Sequence, residues 1–139
     1  MAGTKEKFDA VNARLVGLFK ADRQTMMSFK SLADSAVRPG KLSPALKELI
    51  AVAIAVATGC EDCIVYHAAA ARKHGASREE FVELLAVCVE MAGGPGTVYA
   101  AKALEVFDGL GCGHRFNRPT AGDALTFAAD FIAAARALF

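Results

Sequence analysis

The segment SPALKELIAVAIAVATGCEDCIVYH, residues 43–67, decides how this chain folds. Ser43 followed by Pro44 indicates a helix start, because serine caps free amides of the first turn and proline is tolerated at its first position. Gly59 is placed to end that helix. The apolar run between them predicts a helix at the centre of the core, in spite of its β-branched residues. A second helix is expected to begin at about Cys60.

Two cysteines and one histidine share a face of this second helix. Each residue turns an α-helix by about 100°, so Cys60, Cys63 and His67 fall within a stripe roughly 60° wide. The positive end of the helix dipole favours a thiolate at the N-terminus. The i,i+3 spacing allows the two thiols to close a disulfide, and His67 lies one turn further on, where it could exchange protons with a thiol.

Glu48 is an isolated acid on the preceding helix. If the two helices form an antiparallel hairpin that turns near Gly59, a hydrogen bond between Glu48 and His67 is within reach. A carboxylate behind an imidazole fixes its tautomer and raises its basicity, as the orienting acid of a catalytic triad does. The sequence therefore predicts a catalytic set of Cys63, Cys60, His67 and Glu48.

Helical periodicity continues on both sides of this segment. Further helices are expected at about residues 4–20, 22–37, 77–92, 96–108 and 123–139. Their inward faces are expected to include Phe81, Leu85, Cys88, Met91, Val98, Ala101 and Phe107. We find no convincing strand and no internal repeat. The predicted class is all-α, with about six to seven helices in one domain spanning residues 1–139.

The composition excludes several classes of protein. The chain has 139 residues, 54% of them hydrophobic and 22% charged, with a net charge of +1. Such a chain can bury a substantial core, and without a basic stripe it is not expected to bind nucleic acid. The longest apolar run, residues 49–57, is far shorter than the roughly 20 residues of a membrane span. The polar N-terminus has no apolar signal segment, so a cytoplasmic protein with no membrane partner is expected.

The spacing of Glu48, Cys60, Cys63 and His67 resembles the E-x11-C-x2-C-x3-H signature of AhpD-like alkylhydroperoxidases, in the carboxymuconolactone decarboxylase superfamily. The segments KELIAVA, ARKHGAS and GGPGTVYAAKALE are also similar to family segments. The resemblance covers about residues 27–110 and leaves outside it residues 111–139, a loop and an extra C-terminal helix. It implies an all-α fold that assembles as a homo-oligomer, a trimer or a hexamer.

The resemblance also implies the chemistry. Cys63 would be the peroxidatic thiol and Cys60 the resolving thiol, while Glu48 and His67 would carry protons. The substrate would be a small peroxide, and the reductant a dithiol protein of the lipoyl or thioredoxin type.

This chain departs from the best-known members of the family between the two cysteines. They have a histidine immediately before the peroxidatic cysteine, and this chain has Asp62, with Glu61 beside it. Two acids near the thiols would oppose thiolate formation by like-charge repulsion, unless they face solvent.

Other functions stay open on the sequence alone. A zinc site would need further ligands, and Cys88, Cys112, His74 and His114 have no matching spacing, so neither a metal nor another cofactor is expected. Cys88 is expected to be a packing residue. One alternative is a carboxymuconolactone decarboxylase-type enzyme acting on a small carboxylated lactone. Another is a non-enzymatic redox sensor that uses the same dithiol as a switch.

Overall fold

The structure is a computed structural model that describes residues 3–111. In this range the chain forms five helices and no strand, which confirms the all-α class: α1 (Thr4–Ala21), α2 (Arg23–Val37), α3 (Pro44–Thr58), α4 (Glu61–Lys73) and α5 (Arg78–Gly109). The expected C-terminal helix at 123–139, together with Cys112 and His114, lies outside the described residues.

Local sequence signals set several of the helix ends. The side chain of Ser43 accepts an amide hydrogen bond at the start of α3, and that of Asp22 does the same for α2. At the start of α5, Ser77 and Glu80 each accept a hydrogen bond from the other's backbone amide, which forms the predicted capping box. Each such cap stabilises its helix by about 1 kcal/mol.

The count of six to seven helices is wrong for this part of the chain. The segments expected as separate fifth and sixth helices form one element, α5, because the chain is helical directly before and after Gly93, with no loop between. Gly93 itself has φ 61° and ψ −139°. That conformation is open to glycine and strained for any residue with a Cβ atom.

The two arms of α5 on either side of Gly93 fold back on each other. Arg78 in the first arm donates from Nε to Oδ1 of Asp108 in the second arm, over 2.7 Å. The rings of Phe81 and Phe107 stack with their centroids 4.1 Å apart. In a straight helix the ends would be about 45 Å apart. α5 is therefore a helical hairpin.

This reversal bears on the question of membrane insertion. Within residues 3–111, α5 is the one helix long and apolar enough, by length and composition, to cross a membrane. The core helix of a soluble protein meets the same criterion. The reversal at Gly93 leaves two arms of about fifteen residues each, whereas a span needs about 20.

The core lies between α3, α4 and the two arms of α5, with α1 packed on one side. The largest fully buried side chains are Phe81, Phe107, Ile64, Val52 and Val56. Burying a side chain of this size stabilises the fold by about 1.5–3 kcal/mol. The core thus fixes the relative position of the two helices that carry the predicted site.

Apolar faces on α2 and α3 remain exposed. α3 lies in the core as predicted, but one of its faces is exposed and presents Leu46, Ile50 and Ile54 at intervals of one turn. α2 buries none of its residues, and it exposes Met27, Phe29 and Leu32. These six residues are called the α2–α3 apolar face below.

The inward placement of Met91, Val98 and Ala101 is also wrong, since all three are exposed. The reason lies in how closely the two arms of α5 approach at the reversal. A Cβ atom on Gly96 would lie 2.8 Å from the carbonyl oxygen of Cys88. Only the smallest residues fit between the arms at this level, so the larger side chains of Met91 and Val98 point outward.

The reversal at Gly93 gives a first prediction. Gly93→Ala meets no neighbouring atom within 4 Å, yet it forces a Cβ onto a glycine conformation. We expect it to lower the free energy of unfolding by roughly 1–3 kcal/mol, measured by denaturant unfolding. The matched control is Gly94→Ala, which also meets nothing within 4 Å and has no positive φ. It should be neutral or slightly stabilising. Equal effects of the two variants would contradict the assignment of strain to Gly93.

Candidate redox site at the start of α4

The turn between α3 and α4 is held by the end of α3. Gly59 adopts the left-handed conformation, with φ 68° and ψ 29°. The amides of Gly59 and Cys60 donate to the carbonyls of Val56 and Ala55, over 3.3 and 3.0 Å. These two bonds form a Schellman arrangement, which satisfies carbonyls that the helix end would leave free. The backbone of Cys60 is thus fixed by α3 while the residue serves as N-cap of α4.

Tyr99, from the second arm of α5, supports this turn from the other side. A Cβ atom built on Gly59 would lie 3.1 Å from Cε2 of the tyrosine ring. Glycine is therefore required at this position both by its φ and by the ring that fills the space. Three helices meet at the residue that precedes the first cysteine.

Cys60 and Cys63 are joined in a disulfide, with their Cα atoms 5.2 Å apart. Cys63 lies in the first turn of α4, and both residues are partly buried. The predicted ability of the pair to close a short ring is confirmed. The ring stands at the helix N-terminus, where the backbone dipole favours a thiolate once the bond is reduced.

The predicted hydrogen bond between Glu48 and His67 is present. Nδ1 of the imidazole lies 2.7 Å from Oε2 of the carboxylate. The Glu48 side chain is only 7% exposed, while that of His67 is 33% exposed. A buried carboxylate is tolerated when it is paired. Because Nδ1 is engaged by Glu48, Nε2 is the nitrogen left to exchange protons with a substrate or a thiol.

Each of the two acids between Cys60 and Cys63 forms an ion pair with a cation from another helix. Nη2 of Arg14 on α1 lies 2.6 Å from Oδ2 of Asp62. The ammonium of Lys102, in the second arm of α5, forms an ion pair with Glu61. The sequence predicted like-charge repulsion on the thiols unless these acids face solvent. Both acids are exposed, and each is also paired with a positive charge.

Sequence reasoning missed Arg14 and Lys102. Arg14 is 48 residues from its partner acid, and Lys102 is 41 residues from its own. The one available signal was the presence of two acids beside a thiol pair, which calls for compensating charge without saying which residue supplies it.

Tyr66 lies beside the histidine, with ring centroids 5.2 Å apart in an edge arrangement. Burial raises the pKa of Tyr66, and the charges of Glu48 and Asp34 raise it further. The phenol therefore keeps its proton at neutral pH and packs as an uncharged ring beside the imidazole.

The remaining chemically active side chains of residues 3–111 stand apart from this site. Cys88 is buried in the core, as predicted, and burial raises the pKa of its thiol. His74 is exposed at the C-cap of α4. In this part of the chain no group of three or more His, Cys, Asp or Glu side chains is arranged to hold a metal ion.

Known proteins match most of this chain. The profile of the carboxymuconolactone decarboxylase family matches residues 23–106. An uncharacterized protein of Cupriavidus necator is 43% identical over 106 residues, which are 76% of this chain and 94% of the relative. Another, from the cox locus of Paracoccus denitrificans, is 40% identical over 81 residues, 58% of this chain and 73% of the relative.

Two solved structures share the fold. The first, the apo form of a carboxymuconolactone decarboxylase family protein from Legionella pneumophila, has a TM-score of 0.72 and 40% identity, covering 76% of this chain and 94% of that one. The second, from Thermotoga maritima, is a family member considered a candidate for the antioxidative response. It has a TM-score of 0.67 and 28% identity, covering 75% of this chain and 89% of that one. The profile match, the sequence relatives and the helical architecture agree: the chain belongs to the carboxymuconolactone decarboxylase family, within the AhpD-like superfamily.

Proposed function

We propose that the protein is a thiol-dependent peroxidase and disulfide oxidoreductase. The observation that carries the proposal is the position of the Cys60–Cys63 disulfide one helical turn before His67, whose imidazole is hydrogen-bonded to the buried Glu48 over 2.7 Å. The arrangement combines a nucleophile, a resolving thiol and a proton carrier on one helix. The candidate antioxidative role of the Thermotoga maritima relative agrees with this direction.

In the first step, the thiolate of reduced Cys63 attacks an oxygen of a hydroperoxide. A sulfur–oxygen bond forms while the oxygen–oxygen bond breaks, and the departing alkoxide takes a proton from the imidazolium of His67. Cys63 becomes a sulfenic acid and the peroxide becomes an alcohol. Glu48 holds the imidazole in one orientation and balances its positive charge before the proton leaves.

In the second step, the thiol of Cys60 attacks the sulfenic sulfur of Cys63. The hydroxyl leaves as water with the thiol proton, and the disulfide forms. An external dithiol reduces it by thiol–disulfide exchange through a mixed disulfide. The net reaction converts one hydroperoxide and one dithiol to one alcohol, one water and one external disulfide. The proposed reductant is a lipoyl- or thioredoxin-type protein, since these carry the two thiols that the exchange consumes.

The cellular setting is part of the proposal. Reduction by a thiol protein requires a reducing compartment, which is the reason to place the protein in the cytoplasm. The α2–α3 apolar face supports self-association into a trimer or a hexamer, because exposed apolar faces of this kind are commonly covered by a second subunit.

Replacement of the cysteines tests the proposed roles. In a peroxide assay coupled to a lipoyl or thioredoxin reductant, Cys63→Ser should abolish turnover, because it removes the nucleophile. Cys60→Ser should allow one round of oxidation and then stop as a trapped sulfenic acid. Cys112→Ser is the control and should retain activity. Turnover that survives loss of Cys63 would refute the assignment.

Two further measurements separate the alternative functions. Consumption of a carboxylated lactone after alkylation of both cysteines would favour a decarboxylase-type enzyme. Oxidation of the wild-type dithiol without turnover, even with excess reductant, would favour a redox sensor.

Glu48→Gln tests the proton relay. The amide keeps the shape of the side chain but cannot balance an imidazolium, so we expect kcat/KM for peroxide to fall on the order of 10²-fold. The control is Glu83→Gln, at an exposed position on α5, which should leave kcat/KM unchanged. A wild-type rate in Glu48→Gln would show that His67 acts without its carboxylate.

Ile54→Glu tests self-association through the α2–α3 apolar face. Ile54 is 60% exposed in the single chain, so the charge should leave the fold intact but break an interface. We expect the wild-type protein to sediment as an oligomer and the variant as a smaller species. Val98→Glu, at a residue 57% exposed on α5, is the matched control and should keep the wild-type mass. A monomeric wild-type protein would contradict the proposal.

A further inference from the structure

The turn that carries the two cysteines contains two carboxylates, and each is paired with a different helix. Asp62, directly before Cys63, is bound by Arg14 of α1 over 2.6 Å, while Glu61 is bound by Lys102 of α5. We propose that Arg14 is a positioning residue for the Cys60–Cys63 dithiol, which it keeps reactive by neutralising the charge of Asp62. The inference rests on the redox role proposed for the pair and assigns a residue outside its signature.

Asp62 is the acid next to Cys63 in the chain, and its side chain is 59% exposed. It lies in the first turn of α4. A negative charge close to a thiol disfavours the thiolate, and so counteracts the help that Cys63 receives from the helix N-terminus. A guanidinium 2.6 Å from the Asp62 carboxylate carries the opposite charge and so opposes that field.

The charges around the turn come from all the helices that pack on α4. They are Arg14 of α1, Glu48 of α3, Glu61, Asp62 and His67 of α4, and Tyr99 and Lys102 of α5. Setting aside His67 and Tyr99, two cations stand against three carboxylates, which leaves one net negative charge. Removal of Arg14 leaves one cation against three carboxylates and doubles that excess.

Arg14 and Lys102 differ in how much they support the shape of the turn. Lys102 also lies 5.2 Å from the ring centroid of Tyr99, the residue that packs on Gly59, so it supports the shape of the turn as well as its charge. The Arg14–Asp62 pair is well exposed on both sides, at 60% and 59%. A pair of this kind contributes little to stability, because water and salt screen it. The effect of Arg14 on the thiol can therefore be measured with little loss of fold.

The experiment measures the Cys63 thiol directly, in the reduced full-length protein. Iodoacetamide alkylation of the Cys63 peptide, followed by mass spectrometry across a pH series, gives the thiol midpoint. Equilibration with reduced and oxidised dithiothreitol gives the dithiol–disulfide constant. In Arg14→Gln the midpoint should rise, because the thiolate loses its compensating charge. A less stable thiolate makes the reduced form less stable, so the equilibrium should move toward the disulfide by about threefold to tenfold, which equals ~15–30 mV.

Five comparisons separate a charge effect from a structural one. Arg14→Lys should restore wild-type values. Asp62→Asn should shift both quantities the opposite way, and Arg14→Gln added to Asp62→Asn should have little further effect. The shifts should shrink in about 1 M salt, where the Debye length falls to about 3 Å. Arg78→Gln breaks another exposed pair, 2.7 Å between Arg78 and Asp108, and should leave the thiol unchanged.

The proposal is overturned if Arg14→Gln leaves the Cys63 midpoint unchanged, if its effect persists in the Asp62→Asn background, or if Arg78→Gln shifts the midpoint as much. Peroxide turnover is not part of this readout. A wild-type protein that fails to turn over peroxide would refute the proposed function but not the role of Arg14. An active enzyme whose Cys63 thiol is insensitive to Arg14 would refute the role of Arg14 but not the proposed function.

Discussion

The buried carboxylate of Glu48 is the constraint on which the rest of the structure depends. It is the one charged residue buried within residues 3–111, and it is stable there because His67 lies against it. Leaving such a charge without a partner would cost several kcal/mol. α3 and α4 must therefore run antiparallel, in the one register that brings these two side chains level. The left-handed turn at Gly59 and the ring of Tyr99 behind it serve that register.

The same register determines where the two cysteines and the acids between them lie. Once Glu48 is level with His67, the first turn of α4 has to follow the Gly59 turn directly, and both cysteines fall at a helix N-terminus. The acids between them then face outward, where α1 and α5 can reach them. In the inner pair the Glu48 carboxylate is buried and His67 is partly exposed. The outer pairs are exposed, so salt screens them more strongly.

Much of this was predictable from the sequence, for local reasons. The caps at Ser43 and Ser77, the turn at Gly59, and the Glu48–His67 contact all follow from residue types at short spacing. Periodicity cannot distinguish an apolar face that enters the core from one that stays exposed, so it did not predict the exposed side of α3. Nor could it show that the two arms of α5 meet too closely for large side chains. The partners of Asp62 and Glu61 depend on how distant helices dock, which no local pattern records.

The fold-back of α5 at Gly93 also has a kinetic meaning. It brings together residues that would lie far apart in a straight helix, such as Arg78 and Asp108, which are 30 residues apart in the chain. The α3–α4 hairpin is similarly local, with Glu48 and His67 separated by 19 residues. Closing such short separations costs little chain entropy and favours fast folding. We therefore expect these two hairpins to form early, and α1 to dock later through contacts such as Arg14 with Asp62, 48 residues apart. The cysteines, Glu48 and His67 would then belong to hairpins that form before α1 docks and supplies Arg14. The sequence of α1 could therefore diverge without loss of the site.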